Sequence, residues 1–290
     1  MAVRSLTAFL LVLVAIAATF VAVPAAWAKN TVLDRAEFTK LMEPLGRDPS
    51  VQDAMAQEIA QQVQRLLTEQ GDARPPLEAI TPYVSTYVHG PQFPGAFTEA
   101  VGQVHTWLLV RPTAEQRLRG ATTAEIDLAP MIRDVAAANN VKVTVPERVT
   151  IDLSGTGANR DLFRAGRYAS IADTIRSAAW IAPLTALAAA LLALLAAHRR
   201  GFMMFYLGLG VAVAAGVTWM LCVAAPSYVT SRSGTGGLSP VVDAALGQVT
   251  KSLTPWIVTE AAIGGALALL GLIFGGLGAV AARRAERRAW

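Results

Sequence analysis

The sequence predicts a mainly α-helical membrane protein. It has four transmembrane helices, the first also readable as a signal peptide, and a mainly helical α+β extracytoplasmic domain carrying a short strand pair. Three observations predict this. Two apolar runs, 178–197 and 202–225, are separated only by His198, Arg199, Arg200 and Gly201. At about 1.5 Å per helical residue, the first reaches roughly 30 Å, the thickness of a bilayer's hydrocarbon core, and the second somewhat more. Further apolar runs occupy 6–27 and 256–282. Between the runs 6–27 and 178–197 lie some 145 residues of ordinary soluble composition, enough for one hydrophobic core. A hydrophobic fraction of 53%, 16% charged residues and a mean hydropathy of +0.42 fit a membrane protein with a soluble part.

Charge position argues against nucleic-acid binding despite the net charge of +4. Residues 29–173 hold fifteen Lys and Arg against eighteen Asp and Glu, a net of −3. The excess basicity sits at Arg4, Arg199, Arg200, Arg283, Arg284, Arg287 and Arg288, all flanking apolar runs. Lys and Arg gather on the cytoplasmic side of membranes, so the two arginines of the four-residue turn place it inside and send both outer ends outward. The resulting division is an anchor or signal over 1–28, an extracytoplasmic domain over 29–175, and a three-helix membrane region over 176–290. The last contains the cytoplasmic turn 198–201, an outer loop 226–255 and a basic tail 283–290.

In chain order, Arg4 precedes a charge-free run. Ala26-Trp27-Ala28 has the small-x-small form of a signal peptidase site, but the apolar core from Leu6 to Val23 exceeds the usual length of a signal and is long enough to span. An uncleaved anchor is the favoured expectation. Asp48-Pro49-Ser50 starts a helix in which Val51, Met55, Ile59, Val63 and Leu66 recur at helical spacing until Gly71. After Arg74-Pro75-Pro76, the segment to His89 reads as a helix interrupted or restarted at Pro82, followed by turn residues to Gly95. A helix over 96–110 carries Phe97, Val101, Val104 and Leu108 on one face. Residues 124–128 and 149–153 alternate as two short strands bracketing a helix over 129–139. The chain then reads as helical from Asp161 into the membrane at Trp180, an interfacial aromatic. In the outer loop, Val242, Leu246, Val249 and Leu253 mark an amphipathic helix, expected against the domain or flat on the membrane.

Thr31-Val32-Leu33, Pro44-Leu45 and Asp48-Pro49-Ser50-Val51-Gln52-Asp53-Ala54 resemble the start of the extracytoplasmic domain in a family of uncharacterised actinobacterial integral membrane proteins. His105 within a helix, the Ile126-Asp127-Leu128-Ala129-Pro130 step and the hairpin with its basic turn are similar too. The resemblance covers most of the chain. It implies the topology and a bacterial cell-membrane location, and brings no activity, cofactor or catalytic residue with it.

Chemical motifs are thin, and neither a cofactor nor a metal is expected. Cys222 is the sole cysteine and lies in the third span, where a small packing residue is the plainer reading. His89, His105 and His198 lack the spacing of a zinc site. His105 is the one to watch, because its helix face is apolar; a hydrogen-bonded, half-buried histidine is the plainer reading. The Gly-rich stretches at 154–157 and 233–237 match neither a phosphate cradle nor a nucleophile elbow. Glu125 and Asp127 share a strand face, and Asp127 would approach Asp152 if the strands pair, forming a possible acid/base couple. Exposed strand acids are the commoner case. Glu260 is the single acidic residue in a proposed span, a functional hypothesis by default, with Arg176, Arg232 or Lys251 available to neutralise it near the interface. Gly264, Ala268, Gly271, Gly275 and Gly278 form a small-residue stripe, and the third span has Gly208, Ala212 and Gly216. Such stripes let helices approach closely in lipid, within one bundle or between copies through the last helix.

Three functions fit. The leading one is a non-catalytic cell-envelope protein anchored in the bilayer, whose outer domain binds an envelope protein or cell-wall component. A transporter or channel subunit is the alternative, and an extracytoplasmic hydrolase using Asp127 and Asp152 the third.

Overall fold

The computed structural model describes residues 2–69, 75–114, 125–138, 144–147, 149–152, 164–197, 199–230 and 239–288. Gly71, His198 and both Gly-rich stretches fall outside them, as do the side chains of Asp152, Arg4 and the tail arginines. The helices are α1 (Ala2–Trp27), α2 (Arg35–Met42), α3 (Pro49–Glu69), α4 (Leu77–Val88), α5 (Phe93–Leu109), α6 (Ala129–Ala138), α7 (Ala169–Ala196), α8 (Arg200–Thr230) and α9 (Ser239–Arg288). A π-helical turn, Ala28–Val32, follows α1, and a 3-10 turn, Glu43–Arg47, follows α2. Four helical stretches are long and apolar enough to cross a membrane: Leu6–Val32, Ala169–Ala196, Arg200–Ala224 and Ser239–Leu277. They support a multi-pass membrane protein.

The chain divides into two compact units. One comprises Met1–Asn30, Asp173–Ala224 and Thr250–Trp290, and the other Thr31–Ala172 with Ala225–Val249.

In the first unit, Val12 and Ala15 of α1, Ala189 and Ala193 of α7 and Leu207 of α8 form a small interior cluster. Most large apolar side chains point outward instead, among them Phe9, Leu184, Leu195, Trp219, Leu269 and Leu277. A water-soluble bundle would hide these. Facing hydrocarbon, they lose nothing, and close packing of the helices takes over as the cohesive force. Trp27 donates from Nε1 to Ser252 Oγ at 3.2 Å, and Lys29 Nζ stands 4.1 Å from the centroid of Trp180.

The second unit is built on a conventional core. Its largest fully buried side chains include Phe93, Ile59, Met131, Ile132, Val51, Val84 and Val88, all supplied by helices, together with Leu128. Each contributes about 1.5–3 kcal/mol by leaving water. Asp48 fixes the start of α3, its Oδ1 accepting from the backbone N–H groups of Ser50 and Val51. Val241, Ala244, Ala245 and Val249 of the first part of α9 pack against the same core.

The expected α+β class is corrected: this unit is α-helical. Its β content among the described residues is one antiparallel ribbon, β1 (Glu125–Asp127) with β2 (Thr150–Asp152), three residues each. The alternation over 124–128 and 149–153 is too short to build a sheet layer, and the ribbon contributes a clasp beside α6, while helices supply the core.

Other boundaries move as well. Helix α4 runs through Pro82, the sixth of its twelve residues, at the loss of that residue's backbone bond to Glu78, while Ile80, Val84, Tyr87 and Val88 on both sides of it are buried. Helix α5 starts at Phe93, with Pro94 in its first turn, where a missing N–H costs nothing. A turn through Gly166, at φ +64°, precedes α7, which begins at Ala169; the expected helix start at Asp161 lies outside the described residues. Outer loop and last span merge into the single helix α9, which passes through Pro255.

Candidate functional site

Helix α5 has two working faces. Phe93, Phe97, Ala100 and His105 enter the core. Glu99, Gln103, Thr106 and Val110 recur at i, i+4, i+7 and i+11 and share another face with Trp107. This second face, with Arg35 of α2, Arg111, Pro112 and Ala165, lines a groove of about 340 Å³.

Gly102 brings α2 and α5 together: a β-carbon there would stand 3.2 Å from the Arg35 guanidinium and from Thr39 Cγ2. Arg35 meets Glu99 at 3.4 Å, with 52% and 66% of the two side chains exposed. Such a pair is worth at most about 1 kcal/mol and leaves both charges available to a third partner. The far wall is fixed by Gly166, whose N–H donates to Trp107 O at 2.9 Å, and by Tyr168, whose N–H donates to Leu108 O at 3.1 Å. A β-carbon at Gly166 would meet Pro112 Cδ at 2.7 Å, so the turn requires glycine for space as well as for its positive φ. Together these groups present an indole body, aliphatic walls and charges of both signs. Sequence reading missed the groove residues. The signal available was the polar stripe at helical spacing, interrupted by one tryptophan.

His105 is 7% exposed and lies on the core side of α5. Its Nε2 is 2.7 Å from Val32 O. A carbonyl can only accept, so Nε2 carries the hydrogen. The bond satisfies an orphan carbonyl at the end of the π-helical turn. Nδ1 is buried without a partner, and Phe38 stacks with a centroid separation of 4.7 Å. Burial lowers the imidazole's pKa from 6.5, and the Arg35 charge adds to that, against the opposing effects of the Val32 bond and Asp34. The histidine is a structural fastener.

Asp127 Oδ1 accepts from Ala129 N at 2.9 Å and from Val149 N at 3.1 Å, tying the start of α6 to the chain before β2. In the ribbon, Asp127 lies opposite Thr150, and Asp152 opposite Glu125. Asp127 and Asp152 are thus diagonal neighbours in the backbone register, and Asp127 is not among the residues that line the groove. Tyr87, 5% exposed, donates to Asp134 Oδ2 at 3.1 Å. Burial, then the Asp134 charge and that bond, hold its phenol in the neutral form. His89 joins its own helix end at Ser85 O and stands 3.5 Å from Asp53. Cys222 is a half-buried free thiol.

In the membrane-spanning unit, α8 and α9 pack with their backbones nearly touching. A β-carbon on Gly264 would be 2.6 Å from Ala212 N and 2.8 Å from Gly208 O. One on Gly208 would collide with Ala268 N, one on Gly271 with Phe205 N, and one on Gly201 with Gly275 N. Gly275 itself meets only Phe202 at ordinary distance, and Gly216 has open space around it. Gly278 lies within α9, with surroundings outside the described residues. Glu260 is 3% exposed, and neither carboxylate oxygen has a hydrogen-bond partner.

No family model matches this chain, and no curated protein or solved structure does either.

Proposed function

We propose that this is a non-catalytic integral membrane protein of the cell envelope, its helical unit lying outside the cytoplasm and binding an envelope protein or cell-wall component. The observation that carries this reading is the groove between α2 and α5. It offers Trp107 as an apolar contact flanked by Arg35, Glu99, Gln103 and Arg111, on a unit that has its own core. Aromatic and arginine side chains side by side are what partner-binding surfaces concentrate. Both termini are cytoplasmic in this reading, and the first helix is a retained anchor. Supporting retention, Ala8, Val12 and Ala15 are buried and Trp27 is bonded to Ser252.

Site-specific photocrosslinking in native membranes tests it. Benzoylphenylalanine placed at Gln103, an exposed groove residue, is expected to give a discrete adduct that the same group at exposed Glu147, outside the groove, does not. Identical patterns from the two positions, or no adduct from Gln103, reject the groove as the binding surface.

A further inference from the structure

A second site lies among the spans and is independent of the groove. Among the described side chains of α9 within the membrane unit, the buried positions are Leu253, Ile257, Glu260, Gly264 and Gly271, spaced by four, three, four and seven residues, which is one stripe. Gly264 and Gly271 on that stripe face the backbone of α8. The pairing is antiparallel, with Gly264 against Gly208 and Ala212, and Gly271 against Gly201 and Phe205. The same register, continued by one turn, brings Glu260 level with Ala214, which is buried, and beside the fully buried Ala215. Thr218 is also buried on α8, but its hydroxyl is committed to Ala214 O at 3.0 Å.

Glu260 therefore points into a seam of small apolar residues with both oxygens unpartnered. Of the cations that could neutralise it, Arg176 bonds Asp173 at 3.0 Å and Lys251 is exposed nine residues away, while Arg232 lies outside the described residues. On the facing helix α8, the titratable groups with described side chains are Cys222 and Tyr206, seven and nine residues from Ala215, with Arg200 at the far end. Helix α1 contributes none from residue 6 to 27.

An uncompensated carboxylate so enclosed is strongly disfavoured against its protonated form. A metal cation would need about six oxygen ligands, which Ala214, Ala215 and Gly264 do not offer. A proton needs only the carboxyl itself. We propose that Glu260 is a proton-binding site within the membrane-spanning unit, exchanging with the aqueous boundary near Trp256. That residue lies one turn, about 6 Å, away, in the direction toward which helical side chains lean.

The test uses the full chain reconstituted in liposomes. Infrared difference spectra between acid and alkaline buffer are expected to show a carboxylic-acid C=O stretch that moves to lower frequency in heavy water and is lost in Glu260→Gln. Spectra that superimpose for wild type and variant overturn the proposal. So does a wild-type band that responds to sodium at constant pH, which would make the site a metal-cation site. Should Glu260→Gln fail to fold, labelling of the wild type with dicyclohexylcarbodiimide decides. This lipophilic reagent attacks protonated carboxyls in apolar surroundings. An adduct on the Glu260 peptide that is lost at alkaline pH supports the site, and its absence at acid pH rejects it.

Discussion

His105 donates from Nε2 to the carbonyl oxygen of Val32 at 2.7 Å, fastening α5 to the turn that follows the first helix. The partners are 73 residues apart, and Phe38 stacks on the imidazole beside this part-buried bond. Losing it leaves a part-buried carbonyl without this partner, at a cost of about 1 kcal/mol. His105→Ala is expected to lower the thermal midpoint of the detergent-solubilised chain, and His105→Gln, which keeps an N–H donor, to recover part of the loss. Equal midpoints for wild type and His105→Ala would show that the bond contributes nothing.

The same histidine sets a pH dependence. Its folded pKa lies below the ordinary 6.5 because burial disfavours the imidazolium. The unfolded chain takes up the proton first as pH falls, so the histidine's contribution is full above about 6.5 and declines from there toward the folded value. Stability of the wild type should therefore fall more steeply than that of His105→Gln between about pH 7 and pH 5. Parallel curves would remove His105 as the titrating group.

The membrane helices were legible in the sequence because a span depends on length and apolarity alone, and the basic turn between α7 and α8 is visible as four residues. The caps were legible too: Asp48 before Pro49-Ser50 is a local signal and acts locally. What stayed hidden is long-range. Nothing near Gly102 in the sequence tells that Arg35 lies across it, so the groove could not be assembled from the stripe on α5 alone. The α+β expectation overweighted two runs of alternation. Among the described residues, the two runs give the core one side chain each, Leu128 and Val149, beside helices. Gly216 fitted the small-residue period of the third span yet faces open space, while Gly201, outside that stripe, meets Gly275. Period identifies a face, and only packing identifies its neighbour.

Tyr87 and Asp134 provide a test of the link between α4 and α6. The phenol is buried and its acceptor exposed, so Tyr87→Phe removes one bond without burying an unpaired charge. The expected cost is about 1 kcal/mol. Asp134→Asn should cost less than this, because the amide oxygen still accepts. A larger loss for Asp134→Asn in urea unfolding would mean that the charge of Asp134, and not the bond, stabilises the pair.

The glycines of α8 differ in what they tolerate. Gly208→Leu would drive a side chain into the backbone of α9 at Ala268, whereas Gly216→Leu extends into open space. Gly208→Leu is expected to reduce the folded, monodisperse fraction in detergent severalfold, and Gly216→Leu to leave it unchanged. Equal yields would contradict the close approach of α8 and α9.

The proposed orientation rests on seven arginines: Arg4, Arg199, Arg200, Arg283, Arg284, Arg287 and Arg288. Inverting the molecule would place all seven outside, against the bias at every short loop and at both ends. The mildly acidic domain adds little to the argument, since long domains cross largely regardless of charge. With Cys222 replaced by Ala, a cysteine at Glu147, an exposed position of the helical unit, is expected to react with a membrane-impermeant maleimide in intact cells. A cysteine at Ala289, outside the described residues, is expected to react only after lysis. The reverse pattern would put the groove in the cytoplasm and end its assignment to an envelope partner. It would leave the Glu260 site standing, because that proposal depends on the seam between α8 and α9 and not on which side of the membrane supplies the proton.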